Sequence, residues 1–226
     1  MEKRCAIALD GPSGAGKSTI ARAVAKRYGF VYVDTGAIYR TVGLAVCRAG
    51  IGSKDAEKIA ALLPQLEIEF SYNDAGEQRM YLNGEDVSTE IRRPEISIYA
   101  SDVSAIPAVR AFLLDMQRAM ARKHNVVMDG RDIGTVVLPD AGLKIFITAE
   151  DETRARRREK ELLQKGMPCD FAEVLRDIQY RDHNDATRAD APLRRAEDAV
   201  LLDTTELDFD ESVEAVSQLI KERFSL

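Results

Sequence analysis

The stretch Gly11-Pro12-Ser13-Gly14-Ala15-Gly16-Lys17-Ser18-Thr19 decides how the rest of the chain is read. It satisfies G-x-x-x-x-G-K-[ST], and its flanks suit the motif. The apolar run Cys5-Ala6-Ile7-Ala8-Leu9 before it reads as a buried strand. Ile20, Val24 and Tyr28 after it fall at helical spacing. A glycine-rich turn between strand and helix gathers backbone N–H groups into a concavity for phosphate oxygens, and the helix N-terminus adds its positive end. Residues 11–19 are therefore the expected triphosphate site. Lys17 is expected to reach the β- and γ-phosphates, and the Ser18 hydroxyl to hold Mg²⁺. The competing reading is a glycine-rich turn that binds no nucleotide.

The 226 residues suit one α/β domain with a small insertion. Hydrophobic content of 45% and charged content of 31% are those of a globular protein. A net charge of −6 argues against nucleic acid as the main partner, because phosphate backbones require a basic surface. No apolar run approaches the ~20 residues of a membrane span, and the first strand begins too early to leave room for a signal peptide. Cys5, Cys47 and Cys169 are widely spaced and read as free, packing thiols in a reducing compartment, so a cytoplasmic protein is expected. With only His124 and His183, a histidine metal site is not expected.

Downstream, Gly29 stops the first helix and Val31-Tyr32-Val33 forms a second strand. Asp34-Thr35-Gly36 caps a helix from about Ala37 to Ala49, with Tyr39 and Arg40 near the strand's C-terminal end, the edge where open α/β sheets bind ligands. Over residues 64–90, Leu66, Ile68 and Phe70 alternate with polar residues, and Asn83-Gly84 is a hairpin signal, predicting an antiparallel meander inserted into the parallel plan. Pro94 and Pro107 open two helices. In the second, Val109, Phe112, Leu113, Met116 and Met120 form an expected core stripe with Arg110 beside it. Strands follow at Asn125–Asp129, Leu143–Ile147 and Val200–Leu202, and a last helix covers about 210–223.

Asp129 at the end of an apolar strand suits a magnesium-supporting acid acting through water, although an acid capping a turn reads the same way. Arg154, Arg157 and Arg158 share one helical face, as do Arg181, Asp185 and Arg188. Such stripes are usually solvated, but two of them in an acidic chain point to phosphate handling. A triphosphate site with surplus arginines suggests phosphoryl transfer to a second anion, with positioning and charge neutralisation carrying the catalysis. A phosphate acceptor is already largely ionised at neutral pH and needs no general base.

Taken together, GPSGAGKST, Asp34-Thr-Gly-Ala-Ile-Tyr-Arg40, the inserted meander, Asp129-Gly-Arg-Asp-Ile-Gly-Thr135, the arginine helix and the stretch from Arg181 to Leu193 make the whole chain resemble the bacterial cytidylate kinases. The resemblance implies a P-loop NTPase fold with a central parallel sheet flanked by helices, and phosphorylation of CMP and dCMP by ATP with Mg²⁺. Three parts are implied. The core comprises 1–35, 105–149 and 198–226, the monophosphate-binding region is 36–104, and a helical lid covers about 150–168 with an arm to about 190. Arg40 and Arg131 would hold the acceptor phosphate. Tyr39, Ser101, Arg181 and Asp185 would surround its sugar, and Thr35, Arg110, Asp132 and Arg188 would lie at the base. Lys17, Arg131 and the lid residues Arg154, Arg157 and Arg158 would form the catalytic set. Cytosine presents an amino donor that a carboxylate such as Asp132 can accept, whereas uracil presents a carbonyl there. Some relatives have Gly where Ser18 stands and Ser where Thr35 stands. A kinase for UMP, dTMP or a small alcohol such as shikimate is the nearest rival, and a nucleotide-dependent switch is the rival from another class. A monomer is expected.

Overall fold

The computed structural model describes residues 4–225. The chain runs β1 (Ala6–Asp10), α1 (Lys17–Tyr28), β2 (Val31–Asp34), α2 (Thr35–Arg48), α3 (Ala56–Leu62), β3 (Ile68–Tyr72), β4 (Gln78–Leu82), β5 (Glu85–Asp86), α4 (Pro94–Ser104) and α5 (Pro107–Lys123). It continues with β6 (Val126–Gly130), β7 (Leu143–Thr148), α6 (Asp151–Gln164), α7 (Phe171–Thr187), β8 (Val200–Asp203) and α8 (Phe209–Phe224). Five strands form a parallel sheet in the order β2-β6-β1-β7-β8. β1 lies at its centre, and its fully buried Ile7, Ala8 and Leu9 explain the unbroken apolar run. The glycine loop leaves the C-terminal edge of this strand, where parallel sheets place their ligands.

The antiparallel meander forms as a separate sheet, β3-β4-β5, turning at Asn83-Gly84, where φ is positive at both residues. Its inward residues Ile68, Met80 and Leu82 join Val42, Val46, Val103 and Leu113 in one core, so it packs on α2, α4 and α5 and has no core of its own. Tyr72 donates to Tyr32 O at 2.8 Å, and the Gln78 side chain bonds both the N–H and the carbonyl of Asp34 at 2.9 and 3.3 Å. The meander is thereby pinned to the end of β2. The α6–α7 pair closes over a small core of its own, made by Ala155, Leu162, Val174 and Ile178. No single helix among the described residues is long and apolar enough to cross a membrane.

Two expectations are corrected. Phe112 is not core: it is 38% exposed. The buried face of α5 is instead Val109, Arg110, Leu113 and Gln117, a stripe rotated toward Arg110 because that cation has a buried partner in Asp132. Between residues 50 and 63, where no element is expected, α3 forms with Asp55 as its N-cap, accepting from Lys58 N at 3.2 Å.

Candidate active site

The glycine loop wraps the start of α1, with Gly11, Gly14 and Gly16 at φ of 148°, 75° and 82°. A side chain at Gly11 would set its Cβ 1.9 Å from Ile147 O, so the loop crosses the end of β7 at a distance only glycine permits. Among the described residues the N–H groups of Gly14, Ala15, Gly16, Lys17 and Ser18 have no protein acceptor. That is the donor-rich concavity an anionic ligand requires. Lys17 is 5% exposed and donates to Pro12 O at 2.6 Å. Burial, with Arg131 adding to it, lowers its pKa to about 7.

Beneath the loop, Ser18 Oγ donates to Asp129 Oδ2 at 2.6 Å, and Tyr32 Oη donates to Asp129 Oδ1 at 3.0 Å. Burial, then the neighbouring Asp34, raises the Asp129 pKa. Hydroxyl and carboxylate oxygens are the hard donors Mg²⁺ takes, and the pair fits that ion. Among the described residues no cluster of three or more His, Cys, Asp or Glu could hold a metal, so an Mg²⁺ here would complete its sphere with phosphate and water oxygens.

From the loop a cavity of about 830 Å³ runs between α1, α2, α4, β6 and the α6–α7 pair. Eleven lysines and arginines line it against six carboxylates, a local cationic excess in a chain of net charge −6. Arg181 lines it and forms no ion pair among the described residues; burial, then the neighbouring Arg131, lowers its pKa to about 10. Arg131 is anchored by Asp185 Oδ2 at 2.8 Å and Gly130 O at 3.1 Å. Burial works against its charge, but Asp185 more than compensates and its pKa rises. Arg40 pairs with Asp34 at 2.9 Å, while its buried Nε has no protein partner. Burial opposes the Asp34 charge, yet Arg40 and Arg92 hold its carboxyl below the usual range. Arg181, without an ion pair among the described residues, and the open Nε of Arg40 are what a bound phosphate would satisfy.

The floor is a buried three-residue ion cluster. Asp132 Oδ2 takes Arg110 Nη2, and Oδ1 takes Arg188 Nη2 at 3.2 Å. Arg188 also donates to Ala191 O at 2.7 Å and Ser104 Oγ at 3.1 Å, and burial lowers its pKa. A π-helical turn at Ile133–Val137 follows Asp132 and is seated on Asp10, whose carboxylate accepts from Ile133 N at 2.8 Å and Gly134 N at 2.7 Å.

The structure gathers most of the sequence-derived candidates. Ser13 to Thr19, Thr35, Tyr39, Arg40, Ser101, Asp129, Arg131, Asp132, Arg157, Arg158, Arg181, Asp185 and Arg188 all line this cavity. Gly11 and Pro12 shape the loop from behind, and Arg110 sits behind Asp132, stacked near the Tyr39 ring at 5.8 Å. The Thr35 hydroxyl donates to Asp129 O at 2.7 Å, so only its lone pairs can face a ligand. Arg154 is the exception. It is 3% exposed, does not line the cavity, and turns beneath the loop instead of standing beside Arg157 and Arg158. Arg22 and Arg92 also line the cavity, as do Leu207 and Phe209 at its far end. Arg22 stands four residues beyond Ser18 on the same helical face, a spacing that could have marked it; Leu207 and Phe209 carry no local signal.

A parallel sheet with a glycine loop at β1, a lysine within it and a serine–aspartate pair beneath it places the chain among the P-loop kinases. Residues 7–222 match the family model described as cytidylate kinase, and the chain belongs to that family. It is 50% identical over 217 residues to the cytidylate kinase of Caldicellulosiruptor bescii, covering 96% of each chain. To that of Exiguobacterium sp. it is 48% identical over 222 residues, 98% of this chain and 99% of the other. An uncharacterized protein from Eubacterium ventriosum, 14% identical, superposes with a TM-score of 0.54 over 97% of this chain and 100% of its own, a likeness of fold alone.

Proposed function

We propose that this protein transfers the γ-phosphoryl group of ATP to CMP and dCMP, giving CDP and dCDP. The observation that carries this reading is the Arg110–Asp132–Arg188 cluster, a buried carboxylate held between two guanidinium groups at the floor of a cation-lined cavity that opens onto the glycine loop. Asp132 has lone pairs left to accept the cytosine amino group, and the arginines offer donors to its N3 and O2. Family membership supports the same acceptor.

In this reading the free N–H groups of residues 14–18 and Lys17 hold the donor phosphates. Ser18, with Asp129 through water, would hold Mg²⁺, which would supply charge neutralisation among the donor phosphates. Arg40, Arg131 and Arg181 bind the acceptor phosphate and bring its oxygen in line. Asp185 fixes the Arg131 fork, and Ser101 and Tyr39 border the sugar. Arg157 and Arg158 line the cavity from α6; Arg157 is bonded to Thr204 Oγ1 and Leu207 O and Arg158 to Glu161, and in this reading both turn from those partners to the transferred group. The acceptor oxygen is ionised before attack, since the second phosphate pKa is about 6, so no side chain need remove a proton. Phe209 and Leu207 offer an apolar surface for the donor base. In this reading the chain divides into a core, an acceptor-binding region from 36 to 104, and a lid over about 150–168 with a helical arm to about 190. The cavity is complete within one chain, so a monomer is the expected working form. The compartment expected for it is the cytoplasm, which keeps free thiols reduced.

The test is ADP release from ATP and Mg²⁺ with CMP, dCMP, UMP, dTMP, AMP and shikimate supplied separately. Turnover with CMP and dCMP far above the others is expected. Equal turnover with UMP, or none that depends on an acceptor, would overturn the assignment.

A further inference from the structure

Ser13 differs from residues 14–18 of the glycine loop in that both its backbone N–H and its carbonyl are bonded to side chains. Its N–H donates to Asp182 Oδ1 at 2.9 Å, and its carbonyl accepts from Arg154 Nη1 at 2.7 Å. The two side chains are joined to each other, Arg154 Nη1 to Asp182 Oδ2. They come from different helices, Arg154 from the first turn of α6 and Asp182 from the last third of α7. Arg154 further donates from Nε to Ala149 O at 2.9 Å, at the exit of β7, and from Nη2 to Asp151 at 2.5 Å. A guanidinium has five N–H donors, and a side chain that spends four of them while 3% exposed is held in place and cannot swing into the cavity without breaking them. The packing agrees. A Cβ at Gly14 would lie 3.1 Å from both Cβ and O of Arg154, so the root of α6 rests directly on the loop.

We infer that Arg154 and Asp182 are positioning residues of the donor site: as an ion pair they clamp Ser13 and set the curvature that turns the N–H groups of residues 14–18 toward the phosphates, and Arg154 does not touch the transferred phosphoryl group. The Ser13 N–H lies in the 12–13 peptide group and its carbonyl in the 13–14 group, so the two bonds hold the planes on both sides of the Ser13 Cα and fix how the loop turns there, and the plane of each following peptide in a tight loop depends on the one before it. The neighbour of Asp182 on α7 is Arg181, which lines the cavity. The helix that holds the donor loop therefore also carries a cation toward the acceptor. The inference rests on the kinase reading only for its turnover arm, since ADP binding is measured without an acceptor.

The experiment compares wild type with Asp182→Ala, Asp182→Asn, Arg154→Lys and Arg154→Met by calorimetric titration of ADP and by steady-state KM and kcat for ATP and CMP. Asp182→Ala is expected to weaken ADP binding and raise the KM for ATP by roughly tenfold or more, the loss of a charge-assisted hydrogen bond. The KM for CMP should stay within about twofold. Asp182→Asn retains an acceptor for Ser13 and should recover part of the loss, as Arg154→Lys should against Arg154→Met. If Arg154→Met does not fold, the Asp182 pair still decides. A kcat fall of roughly a hundredfold with unchanged ADP affinity would overturn the inference, because Arg154 would then act on the transferring group. Equal rises in KM for ATP and CMP would overturn it too, marking a merely structural pair. Wild type that binds ADP without CMP-dependent turnover would instead sink the kinase reading and leave the ADP-binding arm standing.

Discussion

Replacing Asp132 by asparagine tests base reading with the least change of shape. The wild-type carboxylate is 4% exposed, accepts from two arginines and has no donor of its own. Asparagine keeps one acceptor and places an amide NH₂ in the other position. Facing cytosine, that NH₂ meets an amino donor. Facing uracil, it meets the C4 carbonyl and donates to it. A mismatched buried polar contact costs about 1–3 kcal/mol. The loss for CMP and the gain for UMP act on the same ratio, so relative kcat/KM should shift toward UMP by about 2–4 kcal/mol, roughly 30- to 1,000-fold. Asp132→Ala removes the acceptor without adding a donor and should relax selectivity by less. Stability falls as well, because both arginines lose a charge partner. Arg188 keeps Ala191 O and Ser104 Oγ, and Arg110 keeps Asp190 at 3.5 Å, so the cost should be near the low end for a broken buried pair, about 3 kcal/mol. At ~2–4 °C per kcal/mol for a domain of this size, Tm drops by about 6–12 °C. Assays are therefore run well below the variant's Tm, with CMP and UMP competing in one vessel. An unchanged CMP-to-UMP ratio in a folded variant would refute base reading by Asp132.

Three further outcomes follow from the same geometry. Lys17 has a pKa of about 7 before any phosphate arrives, and donor phosphates raise it, so ADP binding at pH 8 should take up about one proton and at pH 6 far less; calorimetry in buffers of different ionisation enthalpy reads this, and equal uptake at both values would contradict it. Asp129→Asn leaves Ser18 facing a neutral amide, and should raise the Mg²⁺ concentration for half-maximal rate by about 10–100-fold with little change in the KM for CMP; an unshifted Mg²⁺ titration would remove Asp129 from the metal's surroundings. Asp10 has a pKa raised to about 6, chiefly by burial, so the folded state binds its proton more tightly than the unfolded state does. Its contribution to stability is then present in full below the unfolded value of 3.8 and is lost as pH rises through about 6, a swing of about 3 kcal/mol. Urea unfolding from pH 5 to 7 should show wild type losing stability relative to Asp10→Asn, and parallel curves would contradict it.

What was legible in the sequence was chemistry that must be written locally. A phosphate cradle needs its glycines, lysine and hydroxyl in consecutive positions, so residues 11–19 announce themselves, and the Asp34 cap and the Asn83-Gly84 turn are equally short-range signals. Arg110 was read as lying beside the apolar stripe because periodicity counts apolar residues. Its burial depends on Asp132, delivered 22 residues later by the turn that follows β6. Phe112 was misread by the same rule. Grouping Arg154 with Arg157 and Arg158 was right about direction round the helix and silent about depth: one sits where α6 rests on the glycine loop, the other two farther out. Asp182 carried no local mark, because its partner Ser13 lies 169 residues away in the chain.

The way the meander is pinned ties its exposed turn to the acceptor side of the cavity. Gln78 grips the backbone of Asp34, and Asp34 in turn caps α2 and pairs with Arg40, while the exposed Asn73–Gly76 turn joins β3 to β4 at that same end, between Tyr72 and Gln78. Because the inner faces of β3 and β4 share a core with α2, α4 and α5, the turn cannot swing without carrying the cap with it. A fluorophore at the exposed Ala75, three residues from Gln78, would thus sit close enough to the Asp34 cap to report adjustments around Arg40. The inserted sheet is a built-in pointer for the acceptor side of the cavity, readable without touching the cavity itself.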